Sequence, residues 1–188
     1  MQINKKELRK ELILRRKNMD KSYRVNSDEM IYNKLISCPE IINASVILTY
    51  ISTEIEIDTI RFINEMLRLG KTVAAPLCEG KNMRFIKISS LNDLEAGAFG
   101  ILQPKGNEEI TDFSDSVCIT PALSFNKDGF RLGYGGGFYD RFSEKFSGIS
   151  VGICYESFIG EIPLEEFDRP VDILITENEI KYIHRNEV

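Results

Sequence analysis

Hydrophobic residues along the chain recur with two spacings, one typical of helices and the other typical of buried strands. Near the amino terminus, the helical spacing predicts a helix over residues 5–19, with Asn4 in the capping position. A second helix is predicted after Ser27. The run SVILTYI at residues 45–51 is short, continuous and rich in β-branched residues, as in strands buried on both faces of a parallel sheet. We expect this strand to be central.

Strands and helices continue to alternate along the rest of the chain. Asp58 stands at an N-cap position before a helical pattern that ends near Gly70, and another helix is predicted over residues 138–146. The order predicts an α/β three-layer sandwich with a mostly parallel central sheet, and we expect residues 1–188 to form one domain. The further strands are predicted at residues 71–75, 83–88, 117–120, 148–155, 171–176 and 180–184.

Composition and charge narrow the possible partners. The formal net charge is -5 and the sequence pI is about 5.1, whereas a protein that binds duplex nucleic acid needs a dominant basic surface. No apolar run reaches the roughly 18 residues that a membrane span requires, and the first ten residues lack the apolar core of a signal peptide. We therefore expect a cytoplasmic protein that has neither nucleic acid nor a membrane as a partner.

Cysteine and histidine offer little for catalysis. The single histidine, His184, argues against a zinc site of the Cys/His type and against a protease-like triad. The cysteines are widely spaced, each within or beside an apolar stretch, and are expected to be reduced core residues: Cys38, Cys78, Cys118 and Cys154. The chemistry is expected to use other groups.

A glycine-rich run follows a predicted strand and precedes a predicted helix. Glycine admits positive φ, and successive backbone N–H groups in such turns form a concave site for phosphate, which the start of a helix reinforces. A tight turn is the alternative, although it seldom needs more than one or two glycines. The spacing fits neither the dinucleotide-binding nor the Walker A pattern. The run contains Gly133, Gly135, Gly136 and Gly137, with Arg131 and Arg141 on either side as cations for an anion.

The run at residues 121–141, PALSFNKDGFRLGYGGGFYDR, resembles the signature of the 5-formyltetrahydrofolate cyclo-ligase family. Three shorter segments agree in order and spacing: KKELR at 5–9, YISTEIEIDT at 50–59 and GILQP at 100–104. The resemblance implies a fold similar to that of ribose-5-phosphate isomerase and CoA-transferase-like proteins, in agreement with the predicted elements. It also implies that ATP phosphorylates the formyl oxygen of 5-formyltetrahydrofolate, and that the ring then closes to 5,10-methenyltetrahydrofolate with release of ADP and phosphate.

The resemblance further implies which residues bind the two substrates. ATP would be held by the first helix and the glycine motif, at Lys5, Lys6, Glu7, Leu8, Arg9, Arg131, Leu132, Gly133, Tyr134, Gly135, Gly136, Gly137, Phe138 and Tyr139. The folate would contact Thr53, Glu56, Asp58, Tyr134, Gly135, Gly136, Gly137 and Phe138. The first three of these follow the carboxyl end of a central strand, where open α/β sheets place ligands, although Asp58 would also serve as a plain helix cap. A monomer is expected.

Two aspartates resemble the magnesium ligands of the family. Asp140 follows the glycine motif and Asp172 begins the strand VDILIT, and Mg²⁺ needs only one or two carboxylates beside phosphate oxygens and water. The alternative without a metal is that Asp140 is an acid in the first turn of a helix, favoured by the helix dipole, and that Asp172 is a charge at the edge of a strand. Asp168 is a competing candidate for the second magnesium ligand. Arg131 and Asp140 are the expected catalytic residues.

Two other functions share parts of this pattern. A sugar-phosphate isomerase or acyl-CoA transferase on the same fold would not need ATP, and fold alone does not exclude it. A non-catalytic folate-binding module would keep the cleft and lose the magnesium ligands. The YDR ending of the glycine motif favours the cyclo-ligase over the first alternative, and the two aspartates argue against the second.

Overall fold

The computed structural model describes residues 4–97 and 100–183 of the chain. The helices in this part are α1 (Lys5–Lys17), α2 (Lys21–Ser37), α3 (Pro39–Asn43), α4 (Ile60–Arg68) and α5 (Phe138–Ser143). The strands are β1 (Val46–Thr49), β2 (Thr72–Glu79), β3 (Asn82–Ile88), β4 (Leu94–Ala96), β5 (Leu102–Pro104), β6 (Ser116–Thr120), β7 (Ser124–Phe125), β8 (Arg131–Leu132), β9 (Ile149–Ile153), β10 (Ile173–Ile175) and β11 (Ile180–Tyr182).

One seven-stranded sheet organises the molecule, with the order β11-β10-β9-β6-β1-β2-β3. The five inner strands are parallel to one another, and β3 and β11 pair with their neighbours in antiparallel fashion at the two edges. As expected, β1 lies in the interior, with a parallel partner on each side. Two small hairpins, β4–β5 and β7–β8, lie outside this sheet. The prediction of an α/β fold with a mostly parallel central sheet is confirmed.

Each face of the sheet carries its own hydrophobic cluster, because successive side chains of a strand point to opposite faces. Ile47 belongs to the larger cluster, which also includes buried side chains of α1, α2, α3 and α4. The next residue, Leu48, belongs to the smaller cluster, together with Phe85 of β3 and Phe142 of α5. The continuous apolar run of β1 is therefore explained by burial on both faces.

Some helix boundaries differ from the prediction. Helix α2 begins after Asp20, whose carboxylate accepts a hydrogen bond from the Tyr23 backbone at 2.9 Å, whereas the predicted start, Ser27, is buried inside the helix. Helix α5 ends at Ser143 rather than at residue 146. The capping position of α4 is Thr59, although Asp58 still accepts a hydrogen bond from the first helical N–H.

Other sequence expectations have mixed outcomes. Gly70 ends α4 with a φ of 76°, as a C-terminal glycine should. Three cysteines are buried, but Cys78 is exposed, because it lies in the second half of β2, where the strand is no longer buried. His184 lies outside the described residues.

Within the part of the chain that the structure describes, no helix is both long enough and apolar enough to span a membrane.

Candidate active site

The glycine motif forms the loop between β8 and α5. Gly135 and Gly137 have φ values of 101° and 66°, in the left-handed region that favours glycine, whereas Gly136 does not use a positive φ. At Gly136 the constraint is space, because a Cβ atom there would lie 2.8 Å from the ring of Phe138. Glycine is therefore required in this loop at more positions than a simple turn needs.

Two arginines hold this loop against other parts of the molecule. Arg9 of α1 donates a hydrogen bond from Nε to the carbonyl of Gly133 at 2.9 Å. Arg141 donates to the carbonyl of Gly136 at 2.9 Å and to the carbonyl of Lys81 at 3.0 Å. Both guanidinium groups thus lie beside the loop, where they add positive charge to its backbone N–H groups.

The first helix presents only some of the predicted ATP-binding residues to this loop. Lys5 lies at the same end of α1 as Arg9, and its Nζ is 3.1 Å from both Glu165 and Asp168. Lys6 and Glu7 are exposed, and Leu8 packs against the hydrophobic core. The structure therefore brings Arg9 to the loop, pairs Lys5 with two carboxylates and gives Leu8 a packing role.

Arg131 and Asp140 form an ion pair at the two ends of the motif. The Arg131 side chain is only 7% exposed, whereas that of Asp140 is 45% exposed. The Arg131 guanidinium lies 6.0 Å from the ring centre of Tyr139, whose buried hydroxyl has no hydrogen-bond partner. Leu132, also predicted to bind ATP, is buried in the core. The carboxylate of Asp140 therefore fixes the direction in which Arg131 presents its charge.

A pocket of about 680 Å³ opens beside Arg131 and Tyr139, on the face of the sheet that α5 covers. Its floor includes Thr120 of β6 and Ser150 of β9. Four basic residues line it against two acidic ones, so an anionic ligand is favoured: Lys127, Arg131, Arg169 and Lys181 against Asp128 and Glu144. Sequence did not indicate three of these basic residues as site residues, because Arg169 and Lys181 belong to no motif and Lys127, although within the motif at 121–141, was given no role by the resemblance.

Asp172 lies next to this pocket. Its Oδ2 atom accepts hydrogen bonds from the backbone N–H of Ser150 at 2.8 Å and from the Ser150 hydroxyl at 2.7 Å. Strand register places Ile173 level with Val151, Ile119 and Thr49 in the neighbouring strands, so Asp172 lies near the level at which β1 ends. The competing residue Asp168 instead accepts hydrogen bonds from Lys5 and from the Glu165 backbone.

The donor chemistry of these carboxylates fits magnesium. Asp140 and Asp172 supply hard oxygen donors, and Mg²⁺ commonly takes one or two carboxylates while phosphate and water complete its coordination. Within residues 4–97 and 100–183, no group of three or more His, Cys, Asp and Glu side chains is arranged to hold a metal ion.

The predicted folate-binding segment faces the glycine motif. Thr53 donates hydrogen bonds from its backbone N–H and its hydroxyl to Oε2 of Glu56, both at 2.8 Å. Burial, and then the nearby Glu56 carboxylate, raise the pKa of Tyr134 in the glycine motif. Glu56 and Tyr134 therefore border the same space. Asp58 directs its carboxylate to the N–H of Ile60 at 2.8 Å, which supports its role as a helix cap.

The sequence model of the 5-formyltetrahydrofolate cyclo-ligase family matches residues 1–177. The chain belongs to this family. It is 31% identical over 191 residues to "5-formyltetrahydrofolate cyclo-ligase, mitochondrial" of Arabidopsis thaliana, covering 85% of this chain and 69% of that protein. It is 28% identical to 5-formyltetrahydrofolate cyclo-ligase of Escherichia coli K12, over 78% of this chain and 86% of that protein.

A solved structure agrees with the sequence relatives. The NMR structure of 5,10-methenyltetrahydrofolate synthetase from Aquifex aeolicus superposes with a TM-score of 0.86 at 29% identity, covering 99% of this chain and 96% of that one. The predicted family and fold are thus confirmed, as is the assignment of the chain to a ligase family of folate metabolism. The roles of individual site residues stay predictions.

Proposed function

We propose that this cyclo-ligase family member converts 5-formyltetrahydrofolate into 5,10-methenyltetrahydrofolate while ATP is converted to ADP and phosphate. The observation that carries this proposal is the meeting of three distant segments at one surface. Arg9 from α1 binds the glycine loop, and Glu56 from the loop after β1 borders Tyr134 of the same loop. A phosphate donor and a folate acceptor would therefore be held on adjoining sides of the motif.

The nucleotide is proposed to occupy the basic pocket, with its phosphates on the glycine loop. Arg131 lines that pocket, Arg9 binds the Gly133 carbonyl of the loop, and Lys5 lies one turn before Arg9 on α1. Phosphoryl transfer requires positioning of the two reactants and neutralisation of negative charge, more than it requires proton transfer. Fixed arginines and backbone N–H groups supply both needs without a histidine.

Asp140 and Asp172 are the residues proposed to hold magnesium. A bound Mg²⁺ would neutralise charge on the phosphates and orient them toward the acceptor. Asp140 serves a second purpose, because its ion pair with Arg131 keeps that guanidinium directed along the pocket. Ser150 donates two hydrogen bonds to Asp172 and so fixes the position of that carboxylate.

The folate is proposed to lie between residues 53–56 and the middle of the glycine loop. Glu56 already accepts two hydrogen bonds on one oxygen from Thr53, so its orientation is set before a ligand arrives. A carboxylate in this position suits the N–H edge of a pterin ring. The Tyr134 side chain remains 44% exposed, which leaves an aromatic surface for stacking against that ring.

An absorbance assay for the methenyl product tests this proposal. We expect product to form only when 5-formyltetrahydrofolate, ATP and Mg²⁺ are all present, with one ADP released for each product molecule. Product formed at the same rate without nucleotide would contradict the proposal. Nucleotide-independent acyl-CoA transfer or sugar-phosphate isomerisation would point to a different enzyme on the same fold. Folate binding without any turnover would point to a binding module.

A further inference from the structure

The backbone of the loop that carries Thr53 and Glu56 is held by arginines from two helices. Arg16 of α1 donates a hydrogen bond to the carbonyl of Ile55 at 3.3 Å. Arg24 of α2 donates to the neighbouring carbonyl of Glu54. These contacts involve main-chain atoms, so they fix the course of the loop whatever its side chains are.

Arg16 is an unusual residue to find in this position, because its side chain is buried with 1% exposure. None of the ion pairs found among the described residues includes it, and its Nε atom is buried without a hydrogen-bond partner. Its guanidinium instead lies 5.6 Å and 5.1 Å from the ring centres of Tyr155 and Phe158. A buried charge without a carboxylate is costly, and an apolar residue would fill the same volume more cheaply.

The guanidinium of Arg16 also forms hydrogen bonds with a second segment of the chain. Its Nη2 atom donates to the carbonyls of Ala122 and Leu123 at 2.7 Å and 3.1 Å. The backbone N–H of Leu123 in turn donates to the carbonyl of Leu132 at 2.8 Å, directly before the glycine loop. One guanidinium therefore joins the folate-binding segment to the strand that leads into the phosphate-binding loop.

Arg24 extends the same arrangement. Besides its bond to Glu54, it donates a hydrogen bond to the backbone carbonyl of Arg16, near the end of α1. It thereby ties α2, α1 and the folate-binding segment together from the solvent side. Arg24 is only partly buried, so it can be replaced with less risk to folding than Arg16.

We propose that Arg16, supported by Arg24, is a positioning residue that sets the separation between residues 53–56 and the glycine loop, and so places Glu56 opposite Tyr134. This inference rests on the proposed function, in which these two side chains contact the folate. The hydrogen bond of Arg16 to the folate-binding segment is direct, whereas its link to the glycine loop runs through Leu123 and Leu132, so we expect the larger effect of its loss on the folate side.

Steady-state kinetics of three variants test the inference. Arg16→Met keeps an unbranched apolar stem but removes the guanidinium donors, and we expect the KM for 5-formyltetrahydrofolate to rise at least tenfold while the KM for ATP stays within twofold. Arg16→Lys keeps one charged donor, so we expect its KM for 5-formyltetrahydrofolate to lie between the values of the parent and of Arg16→Met. Arg15→Ala is the matched control, because Arg15 lies next to Arg16 on α1 but donates to Ser157 instead, and it should leave both constants unchanged. Equal changes in both constants for Arg16→Met, or no change, would overturn the inference.

A second variant keeps the inference testable if Arg16→Met does not fold. Arg24→Ala removes the outer contact alone and is expected to raise the folate KM about threefold to fivefold with little change for ATP. Amide hydrogen exchange gives a readout that is independent of turnover. In Arg24→Ala, exchange at residues 53–58 should accelerate while exchange in β6 and β9 stays as in the parent, and an unchanged rate at residues 53–58 would overturn the inference. If the parent shows no ATP-dependent activity, the proposed function fails while the exchange data still decide whether the loop is held in this way.

Discussion

Asp140 is the residue whose two proposed roles are easiest to separate by substitution. Asn has nearly the same shape and still accepts a hydrogen bond from Arg131, but it is a weaker ligand for magnesium. We expect Asp140→Asn to raise the Mg²⁺ concentration needed for half-maximal activity and to lower kcat at saturating Mg²⁺. A magnesium titration of the activity measures both effects.

The control for this change is Asp112→Asn. The Asp112 carboxylate accepts hydrogen bonds only from Ser114 among the contacts found, and it lies outside the proposed site. This variant should keep the magnesium dependence of the parent. If Asp140→Asn also keeps the magnesium dependence of the parent, Asp140 only orients Arg131 or stabilises the first turn of α5, and the proposed role in metal binding is wrong.

Asp28 of α2 provides a prediction on pH. Burial raises the pKa of its carboxyl to about 6 from an ordinary 3.8, although hydrogen bonding from Tyr155 acts in the opposite direction. The folded state therefore holds this proton more tightly than the unfolded chain, and the free energy of unfolding falls as the pH rises from about 4 to about 6. We expect Asp28→Asn to raise Tm at pH 7.5, where the parent buries a charge, and to change it little near pH 4.

Thermal denaturation at the two pH values checks this prediction. Glu29→Gln is a suitable control, because Glu29 is the next residue of α2, is exposed and forms a surface ion pair with Arg61. Its effect should be small at both pH values. The same gain in Tm at pH 4 and pH 7.5 for Asp28→Asn would show that the charge of Asp28 is not the cause.

Arg16 shows where prediction from sequence stopped at the residue scale. The family resemblance suggested Lys5 and Arg9 as binding residues of α1 and gave no role to Arg16, and Arg9 does contact the glycine loop. A helical pattern does not reveal which distant segments cover a helix. The burial of Arg16 depends on the segments at Ile55 and Leu123, which only the tertiary structure brings to α1.

At the scale of elements, the glycine loop separates backbone strain from ligand binding. Gly137 has a φ of 66°, and Ala at such a position costs about 1 kcal/mol of stability. Gly70, with a φ of 76° and open space around it, should show the same backbone cost when it is replaced by Ala, whereas a Cβ at Gly137 would also lie 2.6 Å from Nη1 of Arg141, an exposed side chain that can move. We expect Gly137→Ala and Gly70→Ala to lower Tm by similar amounts, but only Gly137→Ala to weaken ATP binding, by more than tenfold.

Isothermal titration calorimetry with ATP and Mg²⁺ measures the ATP affinity of the two variants. A tenfold loss of affinity corresponds to about 1.4 kcal/mol of binding free energy. Gly136→Ala complements it, because Gly136 does not use a positive φ and an added methyl group would instead crowd the ring of Phe138. If Gly136→Ala and Gly137→Ala both bind ATP as tightly as the parent, the arginines rather than the loop backbone bind the phosphates. The loop would then be only a turn.

The elements that sequence predicted well are those with a strong local signal. The β-branched runs identified β1, β6, β9 and β10, since burial on both faces leaves a continuous apolar segment. The start of α2 was missed because Ser27 has the side chain of a cap although it lies inside the helix. The hairpins β4–β5 and β7–β8 were also missed, because strands of two or three residues carry too little periodicity to detect.

At the scale of the whole molecule, the sequence indicated the motifs but not all of their surroundings. Arg9 and Gly133 are 124 residues apart in the chain, and the family resemblance alone suggested that they act together. The basic pocket was indicated only through Arg131, because Lys181 lies outside the motif and meets Lys127 only in the folded chain, where Lys181 donates to the Lys127 carbonyl at 2.8 Å. The single domain and the monomeric state stay predictions.

Ligand-linked stability tests how α1 and the glycine loop work together. ATP with Mg²⁺ at 100 times its dissociation constant should stabilise the parent by about 2.7 kcal/mol, which for a chain of this size raises Tm by roughly 5–10 °C. Arg9→Ala removes a cation and the hydrogen bond to Gly133, so we expect the shift caused by ATP to shrink to less than half. The shift caused by 5-formyltetrahydrofolate alone should stay close to that of the parent.

Lys10→Ala is the matched control for Arg9→Ala, because Lys10 is the next residue of α1 and its side chain is exposed. It removes the same formal charge without touching the glycine loop, so a general effect of net charge on ATP binding would appear in both variants. Equal losses of the ATP shift in the two variants would assign Arg9 a long-range electrostatic role only. Equal losses of the ATP and folate shifts in Arg9→Ala would assign it a packing role. A loss confined to ATP and to Arg9→Ala would show that the contact between α1 and the loop is what holds the phosphates.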